Sequence, residues 1–174
     1  MFPLLLLAKK LRSRGICPDI FTGYLNKSSV VLEEELRSYA RNFYLSSDDG
    51  SIGTKGYVTI SFTNAINAGA VYDSVYACGP EPMLRALQNI CDTRGMTAQF
   101  SVEQRMGCGI GACLVCACAV KAGYKIEKTD SCAVNTCSAK NADTAGQVEY
   151  ARVCKDGPVF YSHDLYFGGG SAHG

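Results

Sequence analysis

The sequence predicts an α/β layer with a parallel sheet, followed by a small cysteine-rich domain. Three observations lead to this reading. Strand-like runs alternate with helix-like runs from residue 3 to residue 102; after Glu103 the periodicity stops and glycines and cysteines crowd residues 106–118; and ten cysteines fall in a 174-residue chain. With 47% hydrophobic and 19% charged residues the chain can build a core, which excludes disorder as its main state.

Taken in order, Pro3 suits the first turn of a helix, Leu4 to Leu11 continue it, and Gly15 is a natural stop. Residues 19–24 read as a short strand. Ser28 or Ser29 is expected to cap a helix over 31–40, and residues 42–45 read as a second strand. The segment Asp48-Asp49-Gly50-Ser51-Ile52-Gly53-Thr54-Lys55-Gly56 is a turn-rich loop ahead of a helix over 57–67. Residues 72–78 alternate like a buried strand, which Cys78-Gly79-Pro80-Glu81-Pro82 breaks. A helix over 83–93 then ends at Gly95, and residues 97–102 form the last strand of the layer. A domain boundary is expected near 103, giving an α/β module over 1–103 and a cysteine-rich domain over 104–166. Within that domain residues 119–128 read as a strand or hairpin, 129–146 as an inserted loop and 153–160 as a compact motif. Residues 167–174 have the composition of a flexible tail.

Charge and hydropathy narrow the function classes. A net charge of +1 supplies no electrostatic footprint for a phosphate backbone, so nucleic acid is not an expected partner. No stretch approaches the roughly 20 apolar residues that span a bilayer. The apolar run Phe2-Pro3-Leu4-Leu5-Leu6-Leu7-Ala8 has no positive residue before it and Lys9-Lys10 behind it, unlike an export signal, which predicts a cytoplasmic protein. In a reducing compartment clustered cysteines point to metal or redox chemistry rather than disulfides.

Cys108, Cys113 and Cys116 stand in the spacing C-x4-C-x2-C, with Cys154 available downstream. This is the plant-type ligand pattern of a 2Fe-2S cluster. Four thiolates must reach two irons from nearly all sides, which requires a tight loop; Gly107, Gly109 and Gly111 permit one and leave backbone N–H groups open to sulfur. A structural zinc site is the competing reading, although zinc usually takes paired C-x2-C knuckles and this chain offers only Cys113 and Cys116 in that spacing. Cys118 reads as a packed thiol. Cys132 and Cys137 read first as exposed or packed thiols of the insert, with a place as fourth ligand instead of Cys154, or on a second metal, as the alternatives.

Three segments carry a family resemblance: Tyr76-Ala77-Cys78-Gly79-Pro80-Glu81-Pro82-Met83-Leu84, Arg105-Met106-Gly107-Cys108-Gly109-Ile110-Gly111-Ala112-Cys113, and Val153-Cys154-Lys155-Asp156-Gly157-Pro158-Val159-Phe160. Together they resemble the electron-transfer subunit of the two-subunit, NAD-linked dihydroorotate dehydrogenase, within the ferredoxin-reductase group. The resemblance implies a partial doubly wound parallel sheet of the NAD-binding type, a 2Fe-2S domain, and FAD and NAD as further cofactors. It also implies a partner. Dihydroorotate reduces FMN in a catalytic subunit, electrons cross the cluster to FAD, and NAD+ takes them as hydride, serving pyrimidine synthesis. In the family, Cys78-Gly79-Pro80 corresponds to a loop beside the nicotinamide, at the strand end where open α/β sheets bind ligands. Asp49-Gly50-Ser51-x-Gly53 resembles the dinucleotide-side loop; its plain alternative is an ordinary glycine turn.

The chain also departs from the family. No FAD barrel is expected ahead of Pro3, and the first strand and Gly-rich turn of the NAD module have no counterpart, so the sequence reads as N-terminally truncated with two half-sheets. No catalysis is expected from the chain alone. Two alternative readings remain: a related reductase subunit serving hydrogenase, sulfide or glutamate synthase chemistry, and a non-enzymatic binding module stabilised by zinc.

Overall fold

The computed structural model describes residues 2–124 and 148–168. The inserted loop expected over 129–146, with Cys132 and Cys137, lies outside the described residues, as does the tail beyond residue 168. The chain divides into two compact units, residues 1–73 and 74–174. The boundary expected near 103 therefore falls inside the second unit, because a strand from the cysteine-rich half joins the sheet that precedes it.

In the first unit, α1 (Phe2–Ser13) ends as the sequence predicts: Gly15 takes φ +79°, and the N–H groups of Gly15 and Ile16 close on the carbonyls of Arg12 and Leu11. Strand β1 (Ile20–Tyr24) pairs in parallel with β2 (Phe43–Ser47), from Ile20 opposite Phe43 to Tyr24 opposite Ser47. A two-residue strand, β3 (Thr54–Lys55), extends the sheet on the far side of β2. Between β1 and β2 lies α2 (Glu33–Tyr39), which buries Leu36, and after β3 comes α3 (Val58–Asn67), which buries Phe62 and Ala65. Gly23 is required by close approach: a Cβ there would stand 2.9 Å from Val58 Cβ at the start of α3. An aromatic cluster forms the core: Phe21 stacks on Tyr44 at 4.4 Å and meets Phe62 edge-on at 5.4 Å, while Phe62 lies against Tyr72 at 5.8 Å.

The predicted cap of α2 is corrected. Ser28 and Ser29 sit in a separate 3-10 turn (Lys27–Ser29) whose cap is Asn26, and both hydroxyls donate to Asn26 Oδ1. Helix α2 begins instead after Leu32 at φ +58°, with no side-chain cap and with Glu33, Glu34 and Glu35 in its first turn. Those three carboxylates favour the positive end of the helix dipole, an electrostatic start in place of a hydrogen-bonded one.

In the second unit, β4 (Ser74–Cys78) pairs in parallel with β5 (Thr97–Ser101). They are joined by α4 (Glu81–Arg94), which Gly95 closes at φ +66°. Helix α4 buries Leu84, Leu87 and Cys91 against a core that includes Ala98 and the fully buried Phe100. After the cysteine loop, β6 (Ala117–Lys121) and β7 (Val148–Arg152) form an antiparallel pair. A helical turn, α5 (Val153–Asp156), carries Cys154 and leads through a cis Gly157–Pro158 bond into β8 (Val159–Tyr161). Strand β8 then pairs antiparallel with β5, Phe100 opposite Phe160. The Gln88 side chain, buried on α4, donates to the carbonyls of Ser162 and Leu165 and ties the helix to the end of the chain. The strands of the α/β layer pair in parallel, as expected, and the sheet order is β1-β2-β3 in one unit and β4-β5-β8 in the other.

One polar node anchors the first unit. The Asp19 side chain, only 2% exposed, accepts from Arg41 Nε at 2.9 Å, Asn42 Nδ2 at 3.1 Å and Tyr72 Oη at 3.0 Å. Burial pushes its carboxyl up, but the bonds from Arg41, Tyr72 and Asn42 outweigh it and hold the group below its ordinary value. A native pKa below the unfolded one contributes stability above pH ~4 that is lost as pH falls through the native value. Asp19→Ala is expected to cost about 1–3 kcal/mol at pH 7 by urea unfolding. The gap from the parent should narrow below pH ~4; a gap that does not change with pH would refute the assignment.

Candidate metal centre

The loop between β5 and β6 wraps on itself around sulfur. Gly109 and Gly111 take φ +69° and +79°, which favours glycine, and a Cβ on Gly107 would stand 3.0 Å from Cys113 Sγ, a tight fit that glycine relieves. With the chain wound this way, successive amides turn inward. The N–H groups of Ala112 and Cys113 donate to Cys108 Sγ at 3.3 and 3.4 Å. The bonds from the Cys113 and Ile110 amides, the Cys113 thiol and the Ala112 amide bring the Cys108 thiol down to about 6.

A second sulfur pair forms where the loop meets α5. Cys116, buried just before β6, accepts from the amide and thiol of Cys154, which lowers its pKa; the same thiol bond raises that of Cys154, which also receives the Gly111 amide. The Val153 N–H donates to the Cys116 carbonyl at 3.0 Å and sets α5 against the loop. The four cysteines thus stand as two hydrogen-bonded pairs, Cys108 with Cys113 and Cys116 with Cys154, and both members of the second pair are raised by the charge of Cys108. Among the described residues no three His, Cys, Asp or Glu side chains converge on one point as a single-ion site.

This arrangement fits an iron-sulfur cluster. Each iron of a 2Fe-2S unit takes two thiolates beside the two shared sulfides, so two cysteine pairs match two irons, and inward amides stabilise the negative sulfurs. Cys118 is a packed thiol, buried in β6, and burial pushes it up to about 12. Around the paired cysteines the loop exposes Met106, Ile110, Leu114 and Val115.

The other predicted site residues are placed as follows. Cys78 ends β4 and its thiol lies 3.6 Å from Glu103 Oε1; Gly79 and Pro80 lead into α4, with Pro80 at the cap. Asp49, Gly50, Ser51 and Gly53 form a self-bonded turn in the other unit. Asp49 Oδ1 accepts from the Ser51 amide at 2.8 Å and hydroxyl at 2.6 Å, Ser51 Oγ accepts from the Lys27 amide, and the Gly50 amide donates to the Ser47 carbonyl. Gly53 is fixed by crowding, since a Cβ there would fall 2.1 Å from the Leu45 carbonyl. Sequence reasoning missed Arg152, which bridges Asp156 and the Gly111 carbonyl. The i, i+4 spacing of Arg152 and Asp156 around Cys154 was the available signal.

Comparison with known proteins follows the same lines. The family model "Iron-sulfur cluster binding domain of dihydroorotate dehydrogenase B" matches residues 103–133 and 131–166. Proteins named "Dihydroorotate dehydrogenase B (NAD(+)), electron transfer subunit" match nearly the whole chain. The one from Fusobacterium nucleatum is 39% identical over 165 residues, 94% of this chain and 52% of that protein. In sequence, this chain is similar to the dihydroorotate dehydrogenase B electron transfer subunits. The subunits of Clostridium acetobutylicum and Geobacillus thermodenitrificans are 34% and 37% identical, each over 94% of this chain and 52% of the relative. The chain spans about half the length of the curated subunits it matches. Among solved structures, a chain of the NADH-dependent reduced ferredoxin-NADP oxidoreductase aligns with a TM-score of 0.68 at 22% identity, covering 94% of this chain and 49% of that one. That likeness shows the fold, of ferredoxin-NADP reductase type.

The amide cradle has a measurable consequence. In metal-free protein Cys108 is expected to alkylate with iodoacetamide at a rate that rises with a midpoint near pH 6, while Cys91 and Cys118, pushed up to about 11 and 12 by burial, react only on unfolding. Peptide mapping by mass spectrometry reads both. A Cys108 midpoint near 8.5, the ordinary thiol value, would refute the cradle.

Proposed function

We propose that this chain is the cluster-bearing part of an electron transfer subunit of NAD-linked dihydroorotate dehydrogenase, in pyrimidine biosynthesis. Cys108, Cys113, Cys116 and Cys154 hold a 2Fe-2S cluster, and when bound the cluster supplies a one-electron carrier between the FMN of a partner catalytic subunit and FAD and NAD. The observation that carries this reading is the pairing of the four thiols, two for each iron, under inward amides. The names of the similar subunits support dihydroorotate as the substrate of the whole enzyme and a catalytic subunit as partner.

The chain's residues have distinct parts in this reading. The loop amides hold the cysteine sulfurs and favour the reduced, more negative state. Met106, Ile110, Leu114 and Val115 form an apolar collar that excludes water where the FMN-containing subunit docks. Cys78, Gly79 and Pro80, at a strand end beside a helix start, face the nicotinamide. The Asp49-Gly50-Ser51-x-Gly53 turn keeps its Gly50 and Ser51 amides bonded within itself, so a dinucleotide phosphate or ribose would have to displace those bonds to use them. No helix among the described residues is long and apolar enough to cross a membrane, and the free thiols suit a cytoplasmic setting.

Protein purified without oxygen is expected to hold about two irons and two acid-labile sulfides per chain and to give an electron paramagnetic resonance signal on reduction. Zinc without sulfide would overturn the reading, because zinc offers no second oxidation state. Cys113→Ala, Cys116→Ala and Cys154→Ala should each lose the cluster, whereas Cys118→Ala should keep nearly all of it. Bleaching by Cys118→Ala, or retention in Cys154→Ala, would refute the ligand set.

A further inference from the structure

The Arg152 guanidinium is held on one side and donates on the other. Its Nε and Nη2 meet Asp156 Oδ2 and Oδ1 at 3.0 and 3.2 Å, and its backbone N–H adds a third bond to Oδ2 at 2.8 Å. Both side chains are nearly buried, 15% and 7% exposed. That fork leaves Nη1 pointing away from the carboxylate, and it donates to the Gly111 carbonyl at 3.3 Å. The carbonyl of Gly111 and the N–H of Ala112 belong to one peptide unit, and that N–H donates to Cys108 Sγ at 3.3 Å. Arg152, one peptide group and a cysteine sulfur therefore stand in a single chain of hydrogen bonds. Gly111 takes φ +79° without strain, so what holds this peptide is the pair of hydrogen bonds at its two ends, Arg152 Nη1 on the carbonyl and Cys108 Sγ on the N–H.

We propose that Arg152 is a positioning residue that sets the reduction potential of the cluster by locking and polarising the Gly111–Ala112 peptide against Cys108. The inference rests on the cluster reading above. A cation on the carbonyl oxygen draws electron density from the N–H end of the same amide, so the bond to sulfur strengthens, as in cooperative hydrogen-bond chains. The stronger bond favours the more negative, reduced cluster. Asp156 does not cancel this effect, because it lies on the far side of the guanidinium and the positive end faces the loop.

The test uses the full chain, purified without oxygen, with Arg152→Gln, Arg152→Lys and the exposed loop cation Arg105→Gln as a charge control. Each is assayed for iron and sulfide, for its paramagnetic signal and for its midpoint potential by dye titration. Arg152→Gln is expected to load the cluster and shift the reduction equilibrium about tenfold toward the oxidised form, about 59 mV for one electron. Arg152→Lys, which keeps the charge but loses the fork, should shift the same way by less, and Arg105→Gln should not shift. If Arg152→Gln fails to load, Arg152→Lys carries the measurement. Parental potentials in both Arg152 variants would overturn the proposal, as would an equal shift from Arg105→Gln. Loss of the cluster from both Arg152 variants would overturn it too, by making the pair a strut. An unsubstituted chain without iron and sulfide would instead overturn the cluster reading itself.

Discussion

The second unit depends on one constraint: sulfurs from two segments far apart in sequence must come together in a place where backbone amides face them. Thiolate charge is costly to hold away from water unless donors replace the lost hydration. The loop meets that demand with its own main chain, amides 110, 112 and 113 turning toward Cys108. Glycine at 109 and 111 makes the winding possible, and β6, β7 and α5 bring Cys154 to the open side. The buried valine before Cys154, with its amide on the Cys116 carbonyl, turns that approach into a fixed geometry.

The two units stabilise themselves by different means. In the first, a small parallel sheet is covered by aromatic rings and fastened by a buried carboxylate that satisfies three donors at once. In the second, aliphatic and aromatic side chains of α4 and β5 form the core, and the last strand is recruited from beyond the cysteine loop. Full burial of Phe100 and Leu84 is worth roughly 1.5–3 kcal/mol each. The core thus lies directly under the strand, β5, from which the cysteine loop departs.

Most of the helices and strands were legible because their signals are local. Gly15 and Gly95 stop helices by their left-handed backbone, and the strand runs of β1, β4 and β5 stand between such breaks. The cysteine spacing was legible for a chemical reason, since few other functions demand C-x4-C-x2-C with glycines between. What escaped were features that need a partner from elsewhere in the chain. The pairing of β8 with β5 is set by Phe160 meeting Phe100, which no local pattern announces, and so the domain boundary read at the change in texture is not where compactness divides the chain. The cap of α2 was misread because Ser28 and Ser29 had a nearer acceptor in Asn26. Arg152 escaped because its partner, the Gly111 carbonyl, lies 41 residues away in the chain.

Because β8 completes a sheet that β4 and β5 begin, the order of synthesis matters. Residues 97–101 are made well before their partners at 159–161, with the whole cysteine loop and hairpin between them. At roughly 5–20 residues per second, a growing chain displays Cys108, Cys113 and Cys116 for several seconds before Cys154 exists. During that interval the edge of β5 is bare and three thiols lack their closing member. In the cluster reading proposed above, maturation is therefore a timing problem: metal or oxidant that arrives early meets three cysteines without the fourth, and the synthesis of residues 153–161 decides when assembly can proceed.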